Sequence, residues 1–342
     1  MQREKLGISG RAAVILGAGA SRGERRERHE SAVLPPLDSD FFSQLQKLGP
    51  RHEAVNEVLA EARSLFGPVP NVTMEQFFIR IEFLASVAEH LPGDSPGVAD
   101  HYKRVQLAFK EALLLLLNEA HVGSGLRGGP GNPERHQAVF RGLEPGDAII
   151  SFNYDLLADE GLATMGGVKW NPHTAYGVTA TGAVDKWRGD HREDETGSET
   201  VYLLKMHGSL NWRRAGGQLE LTTEPFDPSL MLIVPPAWNK PVEQDPIIRP
   251  VWQAAREALS HSEVLVIVGY SLPQTDVWTT ALMSACAFER SERSKPFSHI
   301  LIANPDEQAV ARLVGTVSRA IDERTRVVTF PSFDELISYL VF

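Results

Sequence analysis

Asn153 and His207 are the two side chains whose types best suit work on a sugar carbon, and each follows a short apolar run. Asn153 lies in Ser151-Phe152-Asn153-Tyr154-Asp155, directly after Ala148-Ile149-Ile150. Its neutral amide carries a donor and an acceptor at fixed spacing, so it can hold a ribose hydroxyl and orient a water beneath an anomeric carbon. His207 lies in Lys205-Met206-His207-Gly208-Ser209, at the end of the run that begins at Val201. Histidine titrates nearest neutral pH and suits general-base work, and Gly208 permits an unusual backbone beside it. Two further segments share this form: Val14-Ile15-Leu16-Gly17-Ala18-Gly19-Ala20-Ser21 and Val268-Gly269-Tyr270-Ser271-Leu272-Pro273-Gln274-Thr275-Asp276. In an α/β sheet, ligands bind beyond the carboxyl ends of strands. Together the four segments suggest a bound nucleotide that is cut, with no apparatus for carrying hydride.

Gly17 and Gly19 after a buried strand give a tight turn that lets backbone N–H groups approach phosphate oxygens, and Ser21 offers a hydroxyl donor. Arg22 stands where the usual fingerprint has its third glycine, so a turn built only for helix–strand packing is the competing reading. Arg22, Arg25, Arg26 and Arg28 alternate with Glu24, Glu27 and Glu30, which reads as a solvated loop or as a lid over phosphates. Asp155 has two readings, an N-cap for a helix starting near Leu156 or a counter-charge beside a nicotinamide ribose. Gly269, Tyr270 and Ser271 form a turn suited to the adenosine side of a dinucleotide, and Asp276 caps the helix after it. Asn304, after the next strand, is placed to bond a ribose hydroxyl, while Asp306 caps Glu307 onward. His173 is a rival to His207, but it sits in the loop Trp170-Asn171-Pro172-His173 with no strand feeding it. None of the eleven histidines shows a metal spacing, so no metal site is expected.

These residues need strands to carry them. Ala12–Leu16, Ala148–Ser151, Val201–Met206, Leu230–Val234, Val264–Val268, Ile300–Ala303 and Arg326–Phe330 read as strands, the fourth stopped by Pro235-Pro236. From about 37 to 122 the pattern is helical. Asp38 or Ser39 caps a helix through Phe41, Phe42, Leu45 and Leu48, and Thr73 with Gln76 makes a capping box before Phe77. Gly123–Pro133 reads as a loop, 182–200 as a mobile polar excursion, and Ser332 as the start of a terminal helix. The alternation predicts an α/β fold: one Rossmann-like, doubly wound, mostly parallel sheet with a helical insertion lobe after the first strand.

With 342 residues and 42% hydrophobic composition the chain can bury a large core. A net charge of -10 argues against a broad nucleic-acid-binding face. Cys286 is the one cysteine, which excludes an intrachain disulfide and a multi-Cys zinc ribbon. The start, Met1 to Arg11, is polar without a signal-peptide core, and the longest aliphatic run, Ala112–Leu117, is too short to cross a bilayer. A cytoplasmic, soluble protein is expected.

Gly17-Ala18-Gly19-Ala20-Ser21, Phe152-Asn153-Tyr154-Asp155, His207-Gly208 and Gly269-Tyr270-Ser271-Leu272-Pro273 together resemble the sirtuin-like superfamily, in particular its bacterial branch associated with anti-phage defence. The resemblance implies a sheet that binds NAD as substrate, without metal. It implies that Asn153 and His207 cleave the nicotinamide–ribose bond, and that Gly17, Ala18, Gly19, Ser21, Asp155, Gly269, Ser271 and Asn304 contact the dinucleotide. Sirtuin deacylases carry a four-cysteine zinc ribbon and a peptide groove. The lone Cys286 and the helical insertion point instead to water as the acceptor. The expectation is an NAD glycohydrolase releasing nicotinamide and ADP-ribose, used to deplete NAD and abort phage infection. Such an effector would be gated, would form a homo-oligomer, and would answer to a separate sensor such as a HerA-type ATPase or an Argonaute-like protein. The alternatives are a protein deacylase or ADP-ribosyltransferase, a non-catalytic NAD or ADP-ribose sensor, and, more remotely, a dehydrogenase.

Overall fold

The computed structural model describes residues 10–24, 33–68, 71–88, 90, 96–120, 133–188, 199–223, 227–234 and 245–341. Its strands are β1 (Ala12–Leu16), β2 (Ala148–Ser151), β3 (Ala180–Gly182), β4 (Tyr202–Lys205), β5 (Gly208–Ala215), β6 (Gln218–Leu221), β7 (Met231–Ile233), β8 (Val264–Val268), β9 (His299–Ala303) and β10 (Arg326–Phe330). The helices before β2 are α1 (Ala18–Glu24), α2 (Phe41–Leu48), α3 (Glu53–Phe66), α4 (Met74–Ala88), α5 (Pro96–Ala120) and α6 (Glu134–Phe140). Those after it are α7 (Leu157–Thr164), α8 (Val184–Arg188), α9 (Ile248–His261), α10 (Val277–Glu292), α11 (Glu307–Val317) and α12 (Phe333–Val341).

Every residue of β1, β2 and β8 is buried, as continuous apolar runs must be when helices cover both faces of a parallel sheet. Six strands pair in the order β10–β9–β8–β1–β2–β4, each neighbouring pair parallel. Counted in chain order among themselves they run 3-2-1-4-5-6, which makes the fold a Rossmann-like doubly wound α/β sheet. The winding reverses between β1 and β8. That reversal opens a crevice at the carboxyl ends of those two strands.

The insertion after β1 is the helical lobe α2–α5. Phe41, Phe42, Phe77, Phe78 and Phe109 make its centre, with ring centroids 5.0 to 6.1 Å apart. The capping box forms at α4: Thr73 Oγ1 accepts from Gln76 N (3.2 Å) and Gln76 Oε1 from Thr73 N (3.1 Å). Asp38 does not cap the helix that follows it. Its carboxylate accepts from Glu75 N at 2.9 Å, so it caps α4 across the lobe, and α2 has Asp40 at its N-cap position.

A second sheet, β3–β6–β5–β7, corrects two expectations. The strand expected near 230–234 is β7, and it pairs antiparallel with β5 instead of joining the main sheet. The stretch 208–221, without expected strands, is a hairpin in which Ala215 faces Gln218 across the two-residue loop Gly216-Gly217. Both loop glycines have positive φ, +56° and +80°, as the tight primed turn demands. The excursion expected from 182 begins instead as ordered structure: α8 buries Trp187, whose carbonyl accepts from Trp170 Nε1 at 3.0 Å. Residues 189–198 lie outside the described residues, as do Pro235-Pro236, most of Gly123–Pro133, and Arg25, Arg26 and Arg28. Among the described residues no helix is long and apolar enough to cross a membrane.

Gly208 joins the two sheets. Its φ is +78°, and a Cβ there would stand 1.9 Å from the Leu232 carbonyl oxygen. Gly208→Ala is therefore expected to destabilise the fold by at least about 2 kcal/mol, read from the urea midpoint.

Candidate functional site

All six parallel strands end at one cavity of about 730 Å³, the size of a small-molecule site. Ala18, Gly19 and Ser21 line it after β1, Asn153 and Asp155 after β2, and His207 after β4. Gly269 and Ser271 line it after β8, Asn304 after β9 and Phe333 after β10. Of the residues that the resemblance assigns to catalysis or dinucleotide contact, all but Gly17 are in this lining. His173 is exposed and elsewhere. The lobe supplies a facing wall that includes Asp38, Glu75 and Leu113. Strand order arranges the motifs in a row: His207, Asn153, the Gly17–Ser21 turn, the Gly269–Ser271 turn, Asn304. From β4 to β9 is four strand spacings, about 19 Å.

The two glycine turns are packed against each other. Gly17 N donates to Val268 O (3.0 Å) and Gly19 N to Gly269 O (2.9 Å). A Cβ on Gly17 would meet Tyr270 Cα at 2.5 Å, and one on Gly269, whose φ is +60°, would meet Ala20 N at 2.2 Å. The packing of the two turns therefore requires these glycines. Their amides, with that of Ala20 bonded to Gly17 O, are spent on protein carbonyls rather than held open for phosphate.

Asn153 is buried, and both hydrogens of its amide are used. Nδ2 donates to Gly17 O and to Ser21 Oγ, each at 2.9 Å. Ser21 Oγ donates to Asp155 Oδ2 at 2.5 Å, so its hydroxyl hydrogen is already engaged. Asp155 is not the N-cap of α7, which is Leu156; from the position before it, its Oδ1 accepts from Leu157 N at 3.1 Å. This chain of bonds orients the Asn153 amide and leaves its Oδ1 as the atom able to receive a hydroxyl or a water.

His207 is walled by aromatic rings: Phe152 edge-on at 5.4 Å and Tyr154 at 6.1 Å, with Tyr270 stacked on Phe152 at 4.3 Å. Its Nε2 stands 3.9 Å from Asp276 Oδ2. Asp276 is the N-cap of α10, accepting from Thr279 N. Burial pushes the Tyr154 phenol well above its ordinary range, and the charges of Glu75, Asp276 and Asp38 push it the same way. Burial and Asp276 do likewise to Tyr270. Both phenols stay neutral at any physiological pH, in a region of negative potential.

At the other end, Asn304 Nδ2 donates to Tyr270 O (3.0 Å) and its Oδ1 accepts from Asp306 N (2.9 Å). Asp306 caps α11 through Gln308 N. Ser271 is exposed, and its carbonyl accepts from Arg312 Nη2 at 3.1 Å. Arg22 is not a loose loop residue: its guanidinium bonds Pro35 O and Asp40 Oδ2, both at 2.6 Å.

Sequence reasoning passed over Lys205. It is fully buried at the end of β4, where its ammonium bonds Asp155 O and, at 3.2 Å, Asp159 Oδ2. Tyr176 OH closes the group on Asp159 Oδ1 at 2.6 Å. The signal was a charged residue inside an apolar strand, which requires a buried partner. Asp38 and Glu75 were missed as cavity carboxylates because nothing local says that the lobe folds over the sheet. No family model and no curated protein matches this sequence.

Lys205→Met strands the Asp159 carboxylate and frees the Asp155 carbonyl. It is expected to destabilise the protein by about 3–5 kcal/mol in denaturant titrations.

Proposed function

We propose that this protein is an NAD glycohydrolase of the sirtuin-like kind, releasing nicotinamide and ADP-ribose. The observation that carries the reading is the row along the sheet's rim: an imidazole, an amide, two glycine turns, a second amide. Laid along that row, a dinucleotide puts its nicotinamide ribose at His207 and Asn153, its pyrophosphate over the turns with Arg22 near, and its adenosine toward Ser271 and Asn304.

The chemistry follows from charge. The nicotinamide ring of NAD is cationic, and as its bond to C1′ breaks that charge moves onto the ribose. Asp276, Glu75 and Asp38 give this end of the cavity a negative field that favours such a transition state. The electron pair of the broken bond leaves on the nicotinamide nitrogen. Asn153 Oδ1 accepts from the ribose hydroxyl or the water, the water oxygen bonds C1′, and its proton passes to His207.

The biological role proposed with it is a gated, homo-oligomeric effector that depletes NAD during phage infection, in the cytoplasm, under a HerA-type ATPase or Argonaute-like sensor. The helical lobe over the cavity is a candidate gate.

Purified protein, with and without candidate activators, is expected to release nicotinamide from NAD, and Asn153→Ala and His207→Ala each to lower the rate about 10²–10⁴-fold. Unchanged turnover in both variants rejects the assigned site. Release that requires an acylated peptide makes the protein a deacylase. Binding without turnover under any activation makes it a sensor, and reduced nicotinamide absorbance with a small substrate makes it a dehydrogenase.

A further inference from the structure

Asp276 does more than its helix cap requires. The cap uses Oδ1, which accepts from Thr279 N at 3.3 Å. Ser, Thr or Asn would serve there as well. The other oxygen, Oδ2, accepts from Tyr270 OH at 2.8 Å and Thr279 Oγ1 at 2.7 Å, and it is this oxygen that stands 3.9 Å from His207 Nε2. Two hydroxyl donors fix this oxygen in place. The imidazole facing it is 5% exposed in its side chain and the carboxylate 1%, so little water screens the pair.

A buried histidine that takes up a proton becomes a buried cation, which is unfavourable without a compensating charge. Several groups face it. Tyr154 comes from the β2 turn and is neutral, Tyr270 and Asp276 come from the β8 turn, and Glu75 and Asp38 line the cavity from the lobe. Glu75 is engaged by the Thr275 hydroxyl and Asp38 by the Glu75 amide. Asp276 is the carboxylate held at ion-pair distance by a rigid turn.

We propose that Asp276 is a positioning residue for His207: its carboxylate, fixed by Tyr270 and Thr279, stabilises the imidazolium formed when His207 takes a proton during turnover. The catalytic part of this inference rests on the glycohydrolase reading. The pairing itself does not.

The test is the titration of the His207 ring by NMR in the ligand-free full chain, assigned by its loss in His207→Gln, alongside pH profiles of nicotinamide release. Asp276→Asn keeps the shape and the cap acceptor but removes the charge. Its His207 midpoint is expected to fall by about 1–2 pH units. The acid limb of kcat should move down with it, and the plateau kcat should drop at least about tenfold with KM little changed. A residue serving only as a cap would move none of these. Should Asp276→Asn fail to fold, Tyr270→Phe keeps the ring stacked on Phe152 while taking one donor from Oδ2, and the midpoint should then rise. A midpoint unmoved in the folded variants overturns the pairing, even if nicotinamide is released normally. A shifted midpoint in a protein that never releases nicotinamide upholds the pairing and rejects the glycohydrolase.

Discussion

The structure depends on one close approach, that of the turn after β1 to the turn after β8. Gly17, Gly19 and Gly269 have no room for a side chain, because each backbone occupies the space a Cβ would need on the other. Their amides and carbonyls extend the sheet's hydrogen bonding one step past the strands. The contact sits at the reversal of winding, the place where a doubly wound sheet opens. A larger residue at any of the three would push β1 and β8 apart at the cavity floor. The glycines thus build the floor of the cavity.

From that floor a chain of polar contacts runs into the core. Asn153 leans on Gly17 O and Ser21, Ser21 on Asp155, and the Asp155 carbonyl on the Lys205 ammonium, which is paired in turn with Asp159 and through it with Tyr176. Each group in the chain has its partner, so the network can be buried without the penalty of an orphaned charge. Its effect on the site is orientation. The Asn153 amide cannot flip without losing its bond to Gly17 O, because that oxygen accepts and cannot donate. The aromatic wall of Phe152, Tyr154 and Tyr270 does the same for His207 by shape.

The parallel sheet was legible in the sequence because strands buried on both faces read as unbroken apolar runs, and each run ends at a residue that must change direction or bond: Gly17, Asn153, His207, Gly269, Asn304. The residues that meet at the cavity could be named for that reason. Their bonds to one another could not. Ser21 and Asp155 are 134 residues apart in the chain, and Glu75 and Thr275 are 200 apart. Local pattern offers no view of such pairings, so Ser21 read as a ligand donor when its proton already had an acceptor. The hairpin at 208–221 went unread, although Gly216-Gly217 between two strand-like runs is a local signal for it. The return of β7 to that hairpin, rather than to the main sheet, is a tertiary choice that three residues cannot encode. Lys205 was visible as an anomaly, a charge in a buried strand, and its meaning needed Asp159 beside it.

The central claim is that the rim holds a dinucleotide with its glycosidic carbon between residues 153 and 207. The most direct measurement is a crystal structure of the His207→Ala protein soaked with NAD. The account predicts density along the row from position 207 to Asn304, with Asn153 Oδ1 about 2.6–3.2 Å from a ribose hydroxyl or a water below C1′. NAD bound elsewhere on the molecule, or in the cavity with its nicotinamide ribose at the Asn304 end, would contradict it.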